Sequence, residues 1–315
     1  MDAHILAYLA DKPLAITPEY VAVIRRVLMQ RSAGIRFTPA EIEARISAAR
    51  GDRVARPSSS AQIGVIPIVG VIMHRMELLT DVSSSGTSPD AIARAFRAAL
   101  NDPNVESIIL DIDSPGGSVY GLPELADEIR AARGRKPIVA VANGIAASAA
   151  YWLGSAASEF VVTPSGQVGS IGVVSVHEDV SKMLDDEGIK VSMIHFGKFK
   201  VEGNPFQPLD ADARKAIQAD VDHYGEMFIA AVANGRGVPS SRVRSEYGQG
   251  RMIVAQEATR RGMVDRVETF DQVIARLSGS APARLGSGAR ALVGSDYARS
   301  RIAIARARGR EHGVM

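Results

Sequence analysis

Ser148 is placed in the sequence where a serine could act as a nucleophile. It stands in residues 142–152 (ANGIAASAAYW), a pattern that predicts a strand running into a helix with the serine near the helix start. A serine at that position is often only a cap, because its hydroxyl accepts a hydrogen bond from the first helical N–H groups. The functional alternative is a nucleophile whose developing oxyanion meets the N–H of Ala149 and the helix dipole.

Paired glycines lie upstream, in residues 111–119 (DIDSPGGSV). The pattern predicts a strand followed by Pro115, Gly116 and Gly117 before a helix. Glycines let the backbone turn sharply and present N–H groups outward, which is the geometry that an oxyanion hole needs. A plain turn would explain Pro-Gly alone, and the glycine spacing of a phosphate-binding loop is not found in the sequence.

Two of only seven lysines, Lys198 and Lys200, fall in residues 196–206, which we expect to leave an apolar strand. Most lysines are solvated and have no chemical role. A lysine in an apolar cleft, however, loses its charge because desolvation disfavours the ammonium form. The neutral amine can then accept the proton of a serine hydroxyl, so this segment could supply a general base.

The elements that must position these segments alternate between strands and helices, which predicts βαβ units and a mostly parallel, buried sheet. Since ligand sites in such sheets lie where strands end, the three segments are expected to meet. Strands are predicted at 63–72, 105–113, 136–144, 159–164, 170–176 and 190–196. Helices are predicted at 89–101, 121–132, 178–187 and 210–234, followed by a helix, turn and strand over 254–267.

The changes in composition and pattern along the chain predict three regions. Residues 1–60 indicate a helical preface, with a helix beginning at Thr17 and Pro18, and a polar linker. Residues 61–276 are predicted to form one catalytic domain. Residues 277–315 carry seven arginines against two acidic residues, which predicts a flexible, solvated tail; contact with nucleic acid or an acidic partner is the sharper alternative.

Composition removes several classes of protein. The chain has no cysteine, so disulfide frameworks, thiolate metal sites and cysteine nucleophiles are excluded, and no His-rich metal or cofactor motif is present. The first residues lack the basic start and apolar core of a secretory signal. Residues 137–158 are free of charge, but their Pro, Asn and Ser content favours a buried strand and helix over a membrane span. We therefore expect a soluble protein without a cofactor.

Together and in this order, the segments resemble the signal peptide peptidase A family of Ser-Lys serine peptidases, over about residues 63–270. Residues 113–119 are similar to its oxyanion loop, residues 145–152 to its nucleophile segment and residues 169–173 to the strand that follows. The resemblance implies an α/β protein of the ClpP/crotonase-like fold, with a mostly parallel sheet and flanking helices.

The resemblance also implies roles for individual residues. Ser148 is the nucleophile, and Lys200 is the general base rather than Lys198, because the family's lysine precedes a Pro-Phe pair by five residues. Ser170 corresponds to a hydroxyl that orients the lysine. In the mechanism that follows, the N–H groups of Gly117 and Ala149 hold the oxyanion, and Gly116 shapes the loop.

Within the family, residues 200–206 and the preface from residue 12 are similar to the head-maturation peptidases of tailed bacteriophages. This likeness implies a phage or prophage protein that assembles into a homo-oligomeric ring, in which the lysine acts either within its own subunit or on a neighbouring one. It also implies cleavage of capsid, scaffold or portal proteins in the host cytoplasm or the assembling virion.

Four other interpretations stay open at this stage. A Ser-His-Asp peptidase would use His177, which is predicted to stand at a strand end. A crotonase-type enzyme would share the oxyanion hole but use a carboxylate base on an acyl-CoA thioester. A cellular peptidase that degrades signal peptides would share the dyad, and a non-enzymatic assembly protein would keep only the fold.

Overall fold

The computed structural model describes residues 13–18, 21, 63–74 and 86–279. Within them the chain forms eleven strands and eight helices. The strands are β1 (Leu14–Ile16), β2 (Ile63–Val69), β3 (Val71–Ile72), β4 (Gly86–Thr87), β5 (Ser107–Ser114), β6 (Gly116–Ser118), β7 (Ile138–Ala147), β8 (Glu159–Val162), β9 (Gln167–Gly169), β10 (Met252–Val254) and β11 (Arg266–Val267). The helices are α1 (Pro89–Asn101), α2 (Leu122–Ala131), α3 (Ala149–Ser155), α4 (Ser181–Asp186), α5 (Ala211–Arg236), α6 (Ser240–Glu246), α7 (Ala255–Arg261) and α8 (Phe270–Leu277).

The main sheet has the strand order β10-β9-β7-β5-β2, with β8 beside β7 and β11 beside β8. All its neighbours are parallel except β10 and β9. The central strands β5 and β7 are buried along most of their length because both faces of the sheet are covered. The predicted α/β class with a mostly parallel sheet and flanking helices is confirmed.

A smaller sheet of order β1-β6-β3-β4 surrounds the paired glycines. β6 runs antiparallel to β1 and parallel to β3, so that Gly117 stands between Ala15 and Ile72. Residues 14–16 were expected within a helical preface, and that expectation is wrong for them: they form a strand. The predicted helix start holds locally, because the N–H of Val21 donates to the carbonyl of Thr17 at 3.2 Å.

The short helix α3 lies at the centre of the core, and all seven of its residues are buried. The Trp152 ring stacks on Phe228 of α5, with centroids 4.6 Å apart and planes 9° apart. The hydroxyl of Tyr151 donates to the carbonyl of Met263 at 2.8 Å. The charge-free window is thus a buried strand and a packed helix, as predicted. Across the described ranges, no helix has the length and apolar character that a bilayer crossing needs.

The helix boundaries follow local side-chain signals. Ser88 caps α1 by accepting from the N–H of Ala91 at 3.1 Å, and Asp210 caps α5 by accepting from Ala213 at 2.7 Å. α5 ends at Arg236, and the left-handed backbone of the next residue, Gly237, closes the helix. Because these signals are local, the predicted helices at 89–101, 121–132, 178–187 and 210–234 are all found, with small shifts at their ends.

Two predicted strands are wrong. Residues 170–176 contribute only a single bridge, from Val174 to Leu14 of β1. Residues 190–196 form no strand and are exposed. Both have the apolar pattern of a strand, but a strand also needs a neighbouring edge to satisfy its N–H and C=O groups. The predicted linker after residue 50, the rest of the preface and the basic tail beyond residue 279 lie outside the described residues.

Candidate active site

Ser148 occupies a sharp turn between β7 and α3. Its backbone has φ 53° and ψ −116°, a conformation that is strained for a residue with a side chain. Its N–H donates to the carbonyl of Gly169 at 2.7 Å, and its hydroxyl points to the carbonyl of Gly172 at 3.4 Å. The side chain makes no capping bond to α3 although Ser148 stands at the cap position. The interpretation of Ser148 as a plain helix cap is therefore wrong.

The paired glycines lie directly against this turn. A Cβ placed on Gly116 would stand 3.0 Å from the Cβ of Ser148 and 2.2 Å from the carbonyl oxygen of Ala15. A Cβ on Gly117 would stand 1.7 Å from the carbonyl oxygen of Ile72. Only glycine fits either position, since no backbone atom can yield that much. The close approach, rather than the turn alone, explains why both residues are glycine.

Carboxylates hold the ends of β5 and β7 together beside the turn. Asp113 Oδ1 accepts from the N–H of Ile145 at 3.3 Å, and Asp111 Oδ1 accepts from Asn143 Nδ2 at 3.1 Å. These bonds join the glycine segment to the nucleophile segment, which the chain separates by α2. All four residues belong to the two predicted segments, but no role was predicted for them.

Arg133 fastens the other end of α3. Its guanidinium donates to the carbonyls of Ala156, Ser155 and Gly235, each at 2.9 Å. Burial lowers the pKa of Arg133, and the nearby positive charge of Arg236 adds to the effect. A cation at the carboxyl end of a helix complements its dipole and satisfies carbonyls that lack helical partners. Nothing in the local pattern of the sequence distinguishes Arg133 from a surface arginine.

Ser170 follows β9 and is buried near the same turn. Its backbone also has a positive φ, 52°, and its N–H donates to the carbonyl of Arg251 at 3.0 Å. The preceding residue, Gly169, pairs with Ala147 and accepts the hydrogen bond of Ser148. The fold therefore brings Gly116, Gly117, Ser148, Ala149 and Ser170 into one region.

Lys200 is exposed in one chain, whereas Ser148 is buried. Lys200 lies in an exposed turn, where its backbone N–H donates to the carbonyl of Gly197 at 3.2 Å. Lys198 stands 4.6 Å from the ring centroid of Phe199. Among the residues that the structure describes, no hydrogen bond links Lys200 to Ser148.

His177 has a different partner as well. Its Nε2 lies 3.1 Å from the carbonyl oxygen of Asn204, and Ser148 points to Gly172 instead. His177 lines a cavity of about 640 Å³ with Val174, Asp179 and Arg214, and Ser148 is not part of that lining. A Ser-His arrangement is thus not formed by the described residues of one chain.

Comparison with known proteins identifies the family. The profile of peptidase family S49 matches residues 130–283, and that of Clp protease matches residues 72–168. Capsid assembly protease C of Escherichia phage lambda is 31% identical over 294 residues, which cover 89% of this chain and 66% of that protein. Head-tail preconnector protein GP5 of Enterobacteria phage P21 is 32% identical over 248 residues, covering 75% of this chain and 49% of that protein.

A bacterial relative shows the same likeness. Protease 4 of Salmonella typhi is 30% identical over 215 residues, which cover 68% of this chain and 34% of that protein. The chain spans less than two thirds of the length of each of these three relatives. The Clp protease match contains both the glycine loop and the turn at Ser148, and the S49 match contains the turn. The chain belongs to peptidase family S49, a family of serine peptidases.

Proposed function

We propose that this chain is a serine endopeptidase of phage head maturation that uses Ser148 as nucleophile and Lys200 as general base. The observation that carries the proposal is the strained turn at Ser148, packed against Gly116. Strained backbone at a hydroxyl residue is common at catalytic sites, where it fixes the nucleophile against its neighbours.

The mechanism follows from the chemistry of these groups. Neutral Lys200 removes the proton of Ser148, and the oxygen attacks the scissile carbonyl carbon. The N–H groups of Gly117 and Ala149 stabilise the oxyanion, with Gly116 holding the loop close. The lysine returns its proton to the leaving amine, and water then resolves the acyl-enzyme with the same base. Ser170 orients the lysine.

A second copy of the chain would supply Lys200. The segment that carries it presents several large apolar side chains to solvent, among them Ile194 at 101% and Phe196 at 99% exposure. Apolar surface of this extent is costly in water and marks an interaction surface. A ring of identical subunits would cover it and carry each Lys200 to the Ser148 of a neighbour, since head-to-tail contacts can close into rings.

The substrates in this proposal are capsid, scaffold or portal proteins in the host cytoplasm or the assembling virion. Support comes from the names of two relatives, a capsid assembly protease and a head-tail preconnector protein, both from phages. A cellular peptidase is the second candidate, supported by the likeness to Protease 4. Incubation with purified head proteins of the parent phage or prophage separates the two.

Mass spectrometry of an unfolded protein substrate after incubation at pH 8 tests the dyad. The parent chain and Lys198→Ala should cleave the substrate, because Lys198 is a matched neighbour without a role. Ser148→Ala and Lys200→Ala should each reduce cleavage by about a thousand-fold or more, since either loss removes the activated nucleophile. Far-ultraviolet circular dichroism should show that all four proteins fold alike.

Each contrary outcome has a clear meaning. Equal cleavage by Ser148→Ala would discard the nucleophile, and normal cleavage by Lys200→Ala would discard the base. Loss of activity in Lys198→Ala instead of Lys200→Ala would move the base by two residues.

A further inference from the structure

The groove beside Ser148 already contains a peptide strand, namely β1 from the same chain. β1 lies between β6 on one side and Val174 on the other. Leu14 and Val174 exchange two backbone hydrogen bonds, of 2.8 Å and 2.9 Å, and β1 pairs antiparallel with β6. An extended segment held by backbone bonds on both edges is the arrangement in which proteins bind peptides by strand addition.

The register of this pairing fixes where the carbonyl of Ala15 points. The N–H of Thr17 donates to the carbonyl of Pro115 at 3.2 Å, so these two residues form a hydrogen-bonded pair. Such pairs alternate along an antiparallel ladder, and the next one along is Ala15 with Gly117. The N–H of Gly117 therefore faces the carbonyl oxygen of Ala15. That N–H is one of the two proposed oxyanion donors.

The same carbonyl lies close to the nucleophile. The point that a Cβ on Gly116 would occupy is 2.2 Å from the oxygen of Ala15 and 3.0 Å from the Cβ of Ser148. Ala15 thus stands where the residue that donates the scissile carbonyl of a substrate would stand.

The side chains of β1 are buried on alternating faces, as those of a bound extended peptide would be. Ala15 is fully buried and packs into the main core, which leaves room for a small side chain only. Leu14 and Ile16 point to the other face, into a separate apolar cluster with Val71 and Met73. The groove therefore fits an extended segment with a small residue opposite Gly117 and an aliphatic residue on each side.

We infer that residues 13–17 are an internal occupant of the substrate groove, so that the chain holds itself latent until this strand is displaced. The inference rests on the proposed function, because Ser148 and Gly117 define the groove. A substrate must take over the backbone partners of β1 at Gly117 and Val174. Extended peptides with the pattern aliphatic, small, aliphatic should compete best, since that is the pattern of Leu-Ala-Ile.

A reversible crosslink tests whether the strand must leave. The chain has no cysteine, so Leu14→Cys with Val174→Cys gives one defined disulfide. Hydrogen-bonded antiparallel partners have Cα atoms about 5.5 Å apart, within the range that a disulfide spans. The oxidised protein should cleave an unfolded substrate at least about ten-fold more slowly than the same protein after reduction. The two single-cysteine variants should show no such redox dependence.

Equal cleavage by the oxidised and reduced forms would overturn the inference and leave the proposed function intact. A binding measurement that needs no catalysis separates the two in the reverse case. A fluorescent peptide of residues 12–18 is added to Ser148→Ala with and without Ile16→Asp, whose buried carboxylate should expel β1 from its apolar cluster. Fluorescence anisotropy should show at least about ten-fold tighter binding to the Ile16→Asp protein.

Similar binding by both proteins would count against the inference. If no form cleaves any substrate but the peptide still prefers the Ile16→Asp protein, the inference stands and the proposed peptidase mechanism fails. The crosslinked pair introduces no buried charge, so it keeps the test decisive if Ile16→Asp does not fold.

Discussion

The backbone conformation of Ser148 favours glycine, so folding alone does not explain why a serine stands there. A φ of 53° with a ψ of −116° is open to glycine and costly for any residue with a Cβ. A serine at this position therefore indicates that the hydroxyl is needed there. It also follows that the protein can be made more stable at this residue only by giving up the hydroxyl.

The first prediction compares two substitutions that both remove the hydroxyl. Ser148→Gly should be more stable than Ser148→Ala by about 1 kcal/mol, because only glycine relaxes the positive φ. Urea unfolding of the two proteins measures the difference, and neither should cleave substrate. A Ser148→Ala protein at least as stable as Ser148→Gly would show that the turn is not strained.

A second prediction concerns the close approach at Gly117. Gly117→Ala should abolish cleavage and lower the stability by about 3 kcal/mol or more, because its Cβ would overlap the carbonyl of Ile72. Gly225→Ala is the control: the residue lies inside α5, and a Cβ there meets no atom within 4 Å other than the adjacent residues and nearby backbone of its own helix. It should stabilise the protein by up to about 1 kcal/mol through helix propensity and leave cleavage unchanged. Thermal unfolding and substrate cleavage report both effects.

The sequence was sufficient to predict those site residues whose conformation depends on their immediate neighbours in the chain. Ser148 stands in a short pattern of small residues that predicts a turn between a strand and a helix, and the structure has that turn. Gly116 and Gly117 lie between a strand and a helix as predicted, but they form the short strand β6 instead of a plain turn. The position of Lys200 was beyond such reasoning. Its neighbours are apolar, which predicted a strand and a cleft, but in one chain those side chains face solvent.

At the scale of elements, the long helix α5 is fastened to the main sheet by an ion pair. Arg236 at its end donates to both carboxylate oxygens of Asp265, at 2.9 Å and 2.6 Å, and Asp265 also accepts from the N–H of Phe160 in β8. Burial alone would raise the pKa of Asp265. The hydrogen bonds from Arg236 and Phe160 outweigh it and hold that pKa below its ordinary value.

This lowered pKa predicts how the stability depends on pH. A carboxylate with a lowered pKa stabilises the fold above its unfolded pKa of about 3.9, and the contribution disappears as pH falls through the folded pKa. Asp265→Asn should therefore cost about 2 kcal/mol at pH 7, less than for a fully buried pair because Asp265 is 39% exposed. The gap between the two proteins should shrink below about pH 4. Urea unfolding at several pH values measures it, and a constant gap would contradict the assignment.

The helices and strands also show where sequence patterns fail to predict secondary structure. The helix α1 was predicted to the residue because Ser88 caps it and the helix makes its own hydrogen bonds. β1 was not predicted, since three residues are too few for a periodic pattern and its partners lie far along the chain. Residues 190–196 were predicted as a strand for the opposite reason: the pattern is present and the partner edge is not.

At the scale of the whole molecule, the exposed apolar side chains around Lys200 are the basis of the proposed assembly of several copies of the chain. Ile194 and Phe196 are almost entirely exposed, whereas the groove at Ser148 is buried. A site whose nucleophile and base lie on different subunits is active only after assembly. Such an enzyme would be confined to places where its own concentration is high.

Mixing two inactive variants tests this arrangement. Ser148→Ala and Lys200→Ala are co-expressed with different tags, and oligomers that carry both tags are isolated. If the lysine acts on a neighbour, random mixing should restore up to about a quarter of the parent activity, because some contacts join an intact Lys200 to an intact Ser148. Mixing Ser148→Ala with the double variant is the control and should restore none. An inactive mixed oligomer would place the lysine in the same chain as its serine.

The pairing of Ala15 with Gly117 joins segments that are far apart along the chain, and this has a consequence for the order of events after synthesis. Closing a long loop is slow, so β1 should add to a core that has already formed. The pairing of β1 with its groove is nevertheless intramolecular, so the effective concentration of β1 does not fall on dilution. Association between subunits does fall on dilution. A dilute, newly folded molecule should thus fill its own groove first and meet its neighbours later.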